Sequence, residues 1–119
     1  MSNLEEMREC YKSHFMAVSG DKYYNLNKNI SSYFLSFTQG SRLELMHKSV
    51  INTRSNNEVI DNGLVHFAIS VGTREKVNAL TEQLRADGFT IEGEPRTIGD
   101  GYYESVILDP EGNQIEITI

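Results

Sequence analysis

Two hairpins in this chain carry one pattern, and that repetition constrains the fold more than any other feature. The first, YFLSFTQGSRLEL (33–45), sets Gly40 four residues before Glu44, inside Leu43-Glu44-Leu45. The second, ESVILDPEGNQIEI (104–117), sets Gly112 four residues before Glu116, inside Ile115-Glu116-Ile117. A carboxylate at the same position of the same return strand, twice, points to a duplicated module.

The elements around the hairpins repeat as well. Residues 3–15 read as a helix: Asn3 caps it, Glu6 completes a capping box, and Leu4, Met7, Tyr11 and Phe15 recur at helical spacing. Gly20-Asp21 reads as a turn, 31–37 as a strand, 38–41 as a hairpin turn and 42–46 as the return strand. Residues 48–62 are polar and weakly patterned, a linker or lid. GLVHFAISV (63–71) reads as a strand, and Arg74–Asp87 as a second helix. Thr73 is its cap, Val77, Leu80 and Leu84 its apolar stripe, and Gly88 its C-terminal glycine. Residues 89–98 read as a broken strand, where Pro95 implies an edge or a bend. Strands at 102–108 and 114–119 flank the turn 109–113. The expected organisation is one domain: a first module at 1–47, a linker at 48–62 and a second module at 63–119.

Strand parity selects the candidate site. Side chains alternate between faces, so Leu43 and Leu45 oppose Glu44, and Ile115, Ile117 and Ile119 oppose Glu116. In the strand at 63–71, Val65, Phe67 and Ile69 oppose Leu64, His66 and Ala68. With the apolar faces packed on helices, Glu44, His66 and Glu116 project from the opposite, polar faces. Two carboxylates and one imidazole suit a divalent metal. Taken singly, each has a plainer reading: a solvated glutamate on a half-buried strand, or a structural histidine with satisfied nitrogens. The paired register favours the ligand reading.

Composition excludes several classes. The net charge is −6 and no block of Lys or Arg exists, which argues against nucleic acid. No apolar run approaches a membrane span, and the N-terminus lacks the apolar core of a signal peptide. Cys10 is the single cysteine, so no intrachain disulfide forms. The expected location is the cytoplasm.

GLVHFAIS, the helix after it and YYESVILDPEGNQIEI resemble the C-terminal module of the vicinal oxygen chelate superfamily. That group includes glyoxalase I, bleomycin-resistance proteins and extradiol dioxygenases. SSYFLSF and GSRLELM are similar to the matching part of the first module. The resemblance implies an α+β fold of paired βαβββ modules, with metal ligands on the first and last strand of each. Carried over, it gives Glu44, His66 and Glu116 as ligands and Glu44 or Glu116 as the catalytic proton shuttle. The fourth ligand belongs to a leading strand of the first module, which the repeat spacing places before Met1. The first module is therefore expected to lack that strand. His14 and His47 are not replacements, since one sits on a helix and the other faces away from Glu44.

The implied activity is that of a lactoylglutathione lyase, a metal-dependent isomerase acting on a thiol adduct of a 2-oxoaldehyde. The metal is nickel, cobalt, zinc, manganese or iron. The alternatives are a metal-free, bleomycin-resistance-like binder of small molecules and an inactive truncated member. A missing strand favours a homodimer, including a strand-exchanged one. Tyr23, Tyr24, Tyr33, Tyr102 and Tyr103 either line a ligand cleft or pack within the sheets, and packing is the commoner role. Arg42 is read as a surface arginine beside a hairpin, with anion binding as the alternative. Cys10 is read as a packed helical residue rather than a nucleophile.

Overall fold

α1 (Leu4–Phe15) begins where the sequence places its cap. In this computed structural model, which describes residues 3–50, 64, 66–99 and 101–119, Asn3 Oδ1 accepts the Glu6 backbone N–H at 3.1 Å. Asn3 Nδ2 donates to the Glu6 carboxylate at 2.8 Å. Glu5 and Glu6 in the first turn, with Lys12 and His14 in the last, complement the helix dipole. Leu4, Met7, Cys10, Tyr11 and Phe15 form the buried stripe.

The strands after α1 form an antiparallel sheet. β1 (Val18–Ser19) and β2 (Tyr23–Asn25) both pair with β3 (Ile30–Ser36), which also pairs along its length with β4 (Arg42–Lys48). β1 and β2 continue one another along one edge of β3, because the Gly20 N–H donates to the Phe34 carbonyl at 3.0 Å between them. Val18 pairs with Ser36 and Tyr23 with Ser32, so the edge carries one extra residue near Asp21-Lys22. The turn expected at Gly20-Asp21 is therefore a bulge in a continuous edge. The bulge resets parity, so Val18 and Tyr23 face the same side. Tyr33, Leu35 and Leu45 are buried on the face that α1 covers. Ser32, Phe34, Ser36, Arg42, Glu44 and Met46 share the opposite, open face.

The second unit is a complete βαβββ module. β5 (His66–Ser70), α2 (Arg74–Ala86), β6 (Ile91–Thr97), β7 (Tyr103–Leu108) and β8 (Gln114–Thr118) give the strand order β5-β8-β7-β6. β5 runs parallel to β8 and the other pairs are antiparallel. Thr73 caps α2 by accepting the Lys76 N–H at 3.2 Å. Val77, Leu84, Ile107, Ile115 and Ile117 are fully buried. The helix stripe differs from expectation at one position: Thr81 is buried and Leu80 only half-buried. Burying Thr81 is tolerable because its hydroxyl donates to the Val77 carbonyl at 2.6 Å and meets Ser105 Oγ at 2.7 Å. β6 is the broken edge strand that Pro95 implied, with register shifts between Ile91 and Arg96.

The two units, Met1–Val59 and Ile60–Ile119, share one element order. In that order β4 takes the place of β8. Among the described residues no strand takes, beside β4, the place that β5 has beside β8. Most of the expected 48–62 linker lies outside the described residues, as do Gly63 and Val65. Among the described residues no helix is long and apolar enough to cross a membrane.

Candidate functional site

β5 and β8 together position the first two candidate ligands. Their parallel register sets His66 beside Gln114 and Ala68 beside Glu116. Glu116 is thus the diagonal neighbour of His66 on the same face, and His66 Nε2 lies 3.2 Å from Glu116 Oε1. The alternate residues Phe67, Ile69, Ile115 and Ile117 fall on the packed face, which fixes the strands beneath the pair. The His66 side chain is 43% exposed and that of Glu116 21%, so both polar ends remain open to a ligand. At that separation the carboxylate pairs with the Nε2 edge of the ring and leaves Nδ1 for another partner.

Cross-strand register extends this open face. Gln114 Nε2 donates to the Glu92 carboxylate at 2.8 Å. Ser70, Thr118, Glu104 and Arg96 align across the four strands. Glu104 is buried, and its carboxylate lies 4.0 Å from Arg96 Nη2. Neither Glu104 nor Arg96 was singled out from sequence. The available signal was a glutamate sharing parity with Val106 and Leu108 in an otherwise apolar strand.

Glu44 stands on the other unit, exposed on the open face of β4 opposite Phe34. The structure thus brings two of the three candidates together, and Glu44 occupies the corresponding strand of the first module. Among the described residues no group of three or more His, Cys, Asp or Glu side chains is placed to hold a metal ion. The pair alone offers one nitrogen and one oxygen donor, half of a divalent site and of the right chemistry for it.

The remaining candidates fall where packing needs them. His14 Nδ1 lies 3.1 Å from the Cys10 carbonyl, within α1. His47 shares the Tyr33 and Leu45 face, away from Glu44. Cys10 is buried. Tyr33 is buried and donates to Glu5, and Tyr103 donates to Asn78 on α2 at 2.6 Å, so both serve packing. Tyr23 is exposed on the open face of its sheet.

The chain matches the sequence model of the Glyoxalase/Bleomycin resistance protein/Dioxygenase superfamily over residues 1–117. No curated protein sequence matches it significantly. Among solved structures it is similar to glyoxalase I from Zea mays, with 22% identity and a TM-score of 0.79, over 98% of this chain and 40% of that one. The chain therefore spans about two fifths of the maize enzyme's length. It is similar to a glyoxalase family protein from Enterococcus faecalis at 21% identity and a TM-score of 0.78, over 98% of this chain and 89% of that one. A glyoxylase/bleomycin resistance protein/dioxygenase domain from Frankia sp. shares 15% identity at a TM-score of 0.83, over 98% of this chain and 88% of that one. At these identities the likeness is one of fold.

Proposed function

Because the chain belongs to the glyoxalase/bleomycin resistance protein/dioxygenase superfamily, we propose that it acts on a small carbonyl compound held through a divalent metal on His66 and Glu116. The observation that supports this is the 3.2 Å approach of His66 Nε2 to Glu116 Oε1 on the open face of parallel strands. A divalent ion bound there supplies Lewis-acid polarisation of two neighbouring oxygens. His66 contributes a neutral nitrogen donor. The carboxylate of Glu116 would take a proton from the carbon beside the carbonyl and return it to the adjacent one. The reaction class is isomerisation of a thiol adduct of a 2-oxoaldehyde.

Equilibrium dialysis against nickel or zinc, followed by elemental analysis, tests the site. The expected result is about one ion per chain, lost in His66→Ala and weakened at least tenfold in Glu116→Gln. Retained uptake in His66→Ala would remove His66 from the site. Turnover with methylglyoxal and glutathione then separates an isomerase from a metalloprotein of other activity. A second reading, a metal-free binder, is favoured by the direct approach of His66 to Glu116, which partners the two groups with each other without a metal. Small-molecule binding with no metal uptake by the wild type would select it.

A further inference from the structure

The open face of the first module forms a grid of three rows across its strands. Val18, Ser36 and Arg42 make one row, Gly20, Phe34 and Glu44 the next, and Tyr23, Ser32 and Met46 the third. The edge position beside Phe34 thus carries no side chain. A Cβ built on Gly20 would meet only the Phe34 carbonyl oxygen, at 3.8 Å. The Phe34 ring is 41% exposed, and Val18 and Tyr23 stand exposed in the rows before and after it. Those rows are roughly 13 Å apart along β3, room for a flat two-ring body between them.

Arg42 sets the charge of this cradle. Its guanidinium lies over the Phe34 ring, 5.0 Å from the centroid. Arg8, Arg85 and Arg96 each pair with a carboxylate. Among the described residues Arg42 has no such pair, although Glu44 lies two residues along the same strand. A guanidinium held on an aromatic face keeps its fork of donors for a planar anion. Ser36, opposite Arg42, adds a hydroxyl to the same row. An independent observation lies in the third row. Ser32 is fully buried, and its Oγ, on this face by register, has no hydrogen-bond partner among the described residues.

We propose that this face binds the flat, aromatic, carboxylate-bearing part of a ligand. The aromatic body lies over Gly20 against Phe34, between Val18 and Tyr23, and the carboxylate meets the Arg42 guanidinium. This deepens the proposed function by naming the ligand class; it rests on that reading's small-molecule ligand but not on its metal.

The test is a titration of the full chain with 2-naphthoate, followed by amide chemical shifts. Saturable shifts at Gly20, Phe34 and Arg42 are expected. Three changes should each weaken binding about tenfold, the worth of one charge-assisted contact or one stacked face: 2-naphthol in place of 2-naphthoate, Arg42→Gln, and Phe34→Leu. Arg42 is exposed, so Arg42→Gln should fold normally, which circular dichroism verifies. Equal affinity for naphthoate and naphthol, unchanged affinity in Arg42→Gln, or shifts confined to other residues would each overturn the proposal. His66→Ala, run in parallel, keeps the two readings apart. Naphthoate binding without metal uptake leaves this inference standing and sinks the metal. Metal uptake without naphthoate binding does the reverse.

Discussion

Ser32 and Thr81 show how much one buried hydroxyl depends on its neighbours. Both are fully buried. Thr81 meets Ser105 Oγ and the Val77 carbonyl, so its desolvation is compensated. Ser32 Oγ has no partner among the described residues, and an unpaired buried hydroxyl costs about 1–3 kcal/mol. Ser32→Ala should therefore raise the free energy of unfolding by about 1 kcal/mol, read as a higher urea midpoint at unchanged slope. A destabilised variant would show that the hydroxyl is satisfied. At the same scale, His66 and Glu116 are the residues whose sequence parity translated directly into contact. Adjacent parallel strands preserve parity, so an alternation argument made on each strand separately held for the pair.

The link between α1 and the first sheet is polar as well as apolar. Tyr33 on β3 donates to both Glu5 oxygens at 3.0 Å, and Lys22 Nζ donates to Glu5 at 2.8 Å. The Lys22 hydrogen bond, with help from Tyr33, holds the Glu5 carboxyl below the usual carboxylate range. Glu5 in turn raises Lys22, and burial followed by the Glu5 contact raises Tyr33. The signs define the window. The Glu5 contribution is present above its unfolded pKa and is lost as pH falls through the depressed folded value. Those of Lys22 and Tyr33 are present below their unfolded values and are lost as pH rises through the raised ones. Tyr33→Phe should cost about 1 kcal/mol near neutral pH and move the acid loss of stability to higher pH, since Glu5 loses one of its donors. Thermal melts of both proteins across the acid range check this; an identical acid limb would show that Tyr33 does not hold Glu5. Helices and hairpins were legible because their signals are local: a cap, a 3.6-residue period, a glycine turn. β1 and β2 were not, because two- and three-residue strands with exposed side chains take their register from β3 rather than from their own pattern. The Glu104–Arg96 approach was hidden for a similar reason, since the irregular register of β6 decides it.

As a whole, the molecule carries the same helix-and-sheet arrangement twice. The first unit builds its core from Met7, Tyr11, Leu35 and Leu45, and the second from Val77, Leu84, Ile107, Ile115 and Ile117. Both sets of core residues are closed to solvent. Leu45→Ala and Ile117→Ala should accordingly each cost about 2–5 kcal/mol in urea denaturation, the range for deleting fully buried aliphatic bulk. A Leu45→Ala cost under about 1 kcal/mol would mean that the first module is loosely packed. The net charge of −6 is the other property of the whole chain. It sets the scale of the background against which Arg42 must attract an anion, and added salt screens that background and the contact together.

The bulge between β1 and β2 has a consequence for how this chain can change length. One extra residue near Asp21 and Lys22 keeps Val18 and Tyr23 on the same face. Deleting a single residue there would remove the bulge and restore simple alternation, with Val18 still opposite Ser36 and Tyr23 still opposite Ser32, because those partners are themselves four residues apart. Removing two residues would instead turn over one side of the cut. Tyr24 would take the place of Tyr23 on the open face, or Ser19 would turn onto that face as Val18 left it, withdrawing the Ser19 hydroxyl from its bond with Arg8. The count of residues between Val18 and Tyr23 thus matters by parity: one fewer keeps the side chains presented on that face, and two fewer exchange them without substituting any.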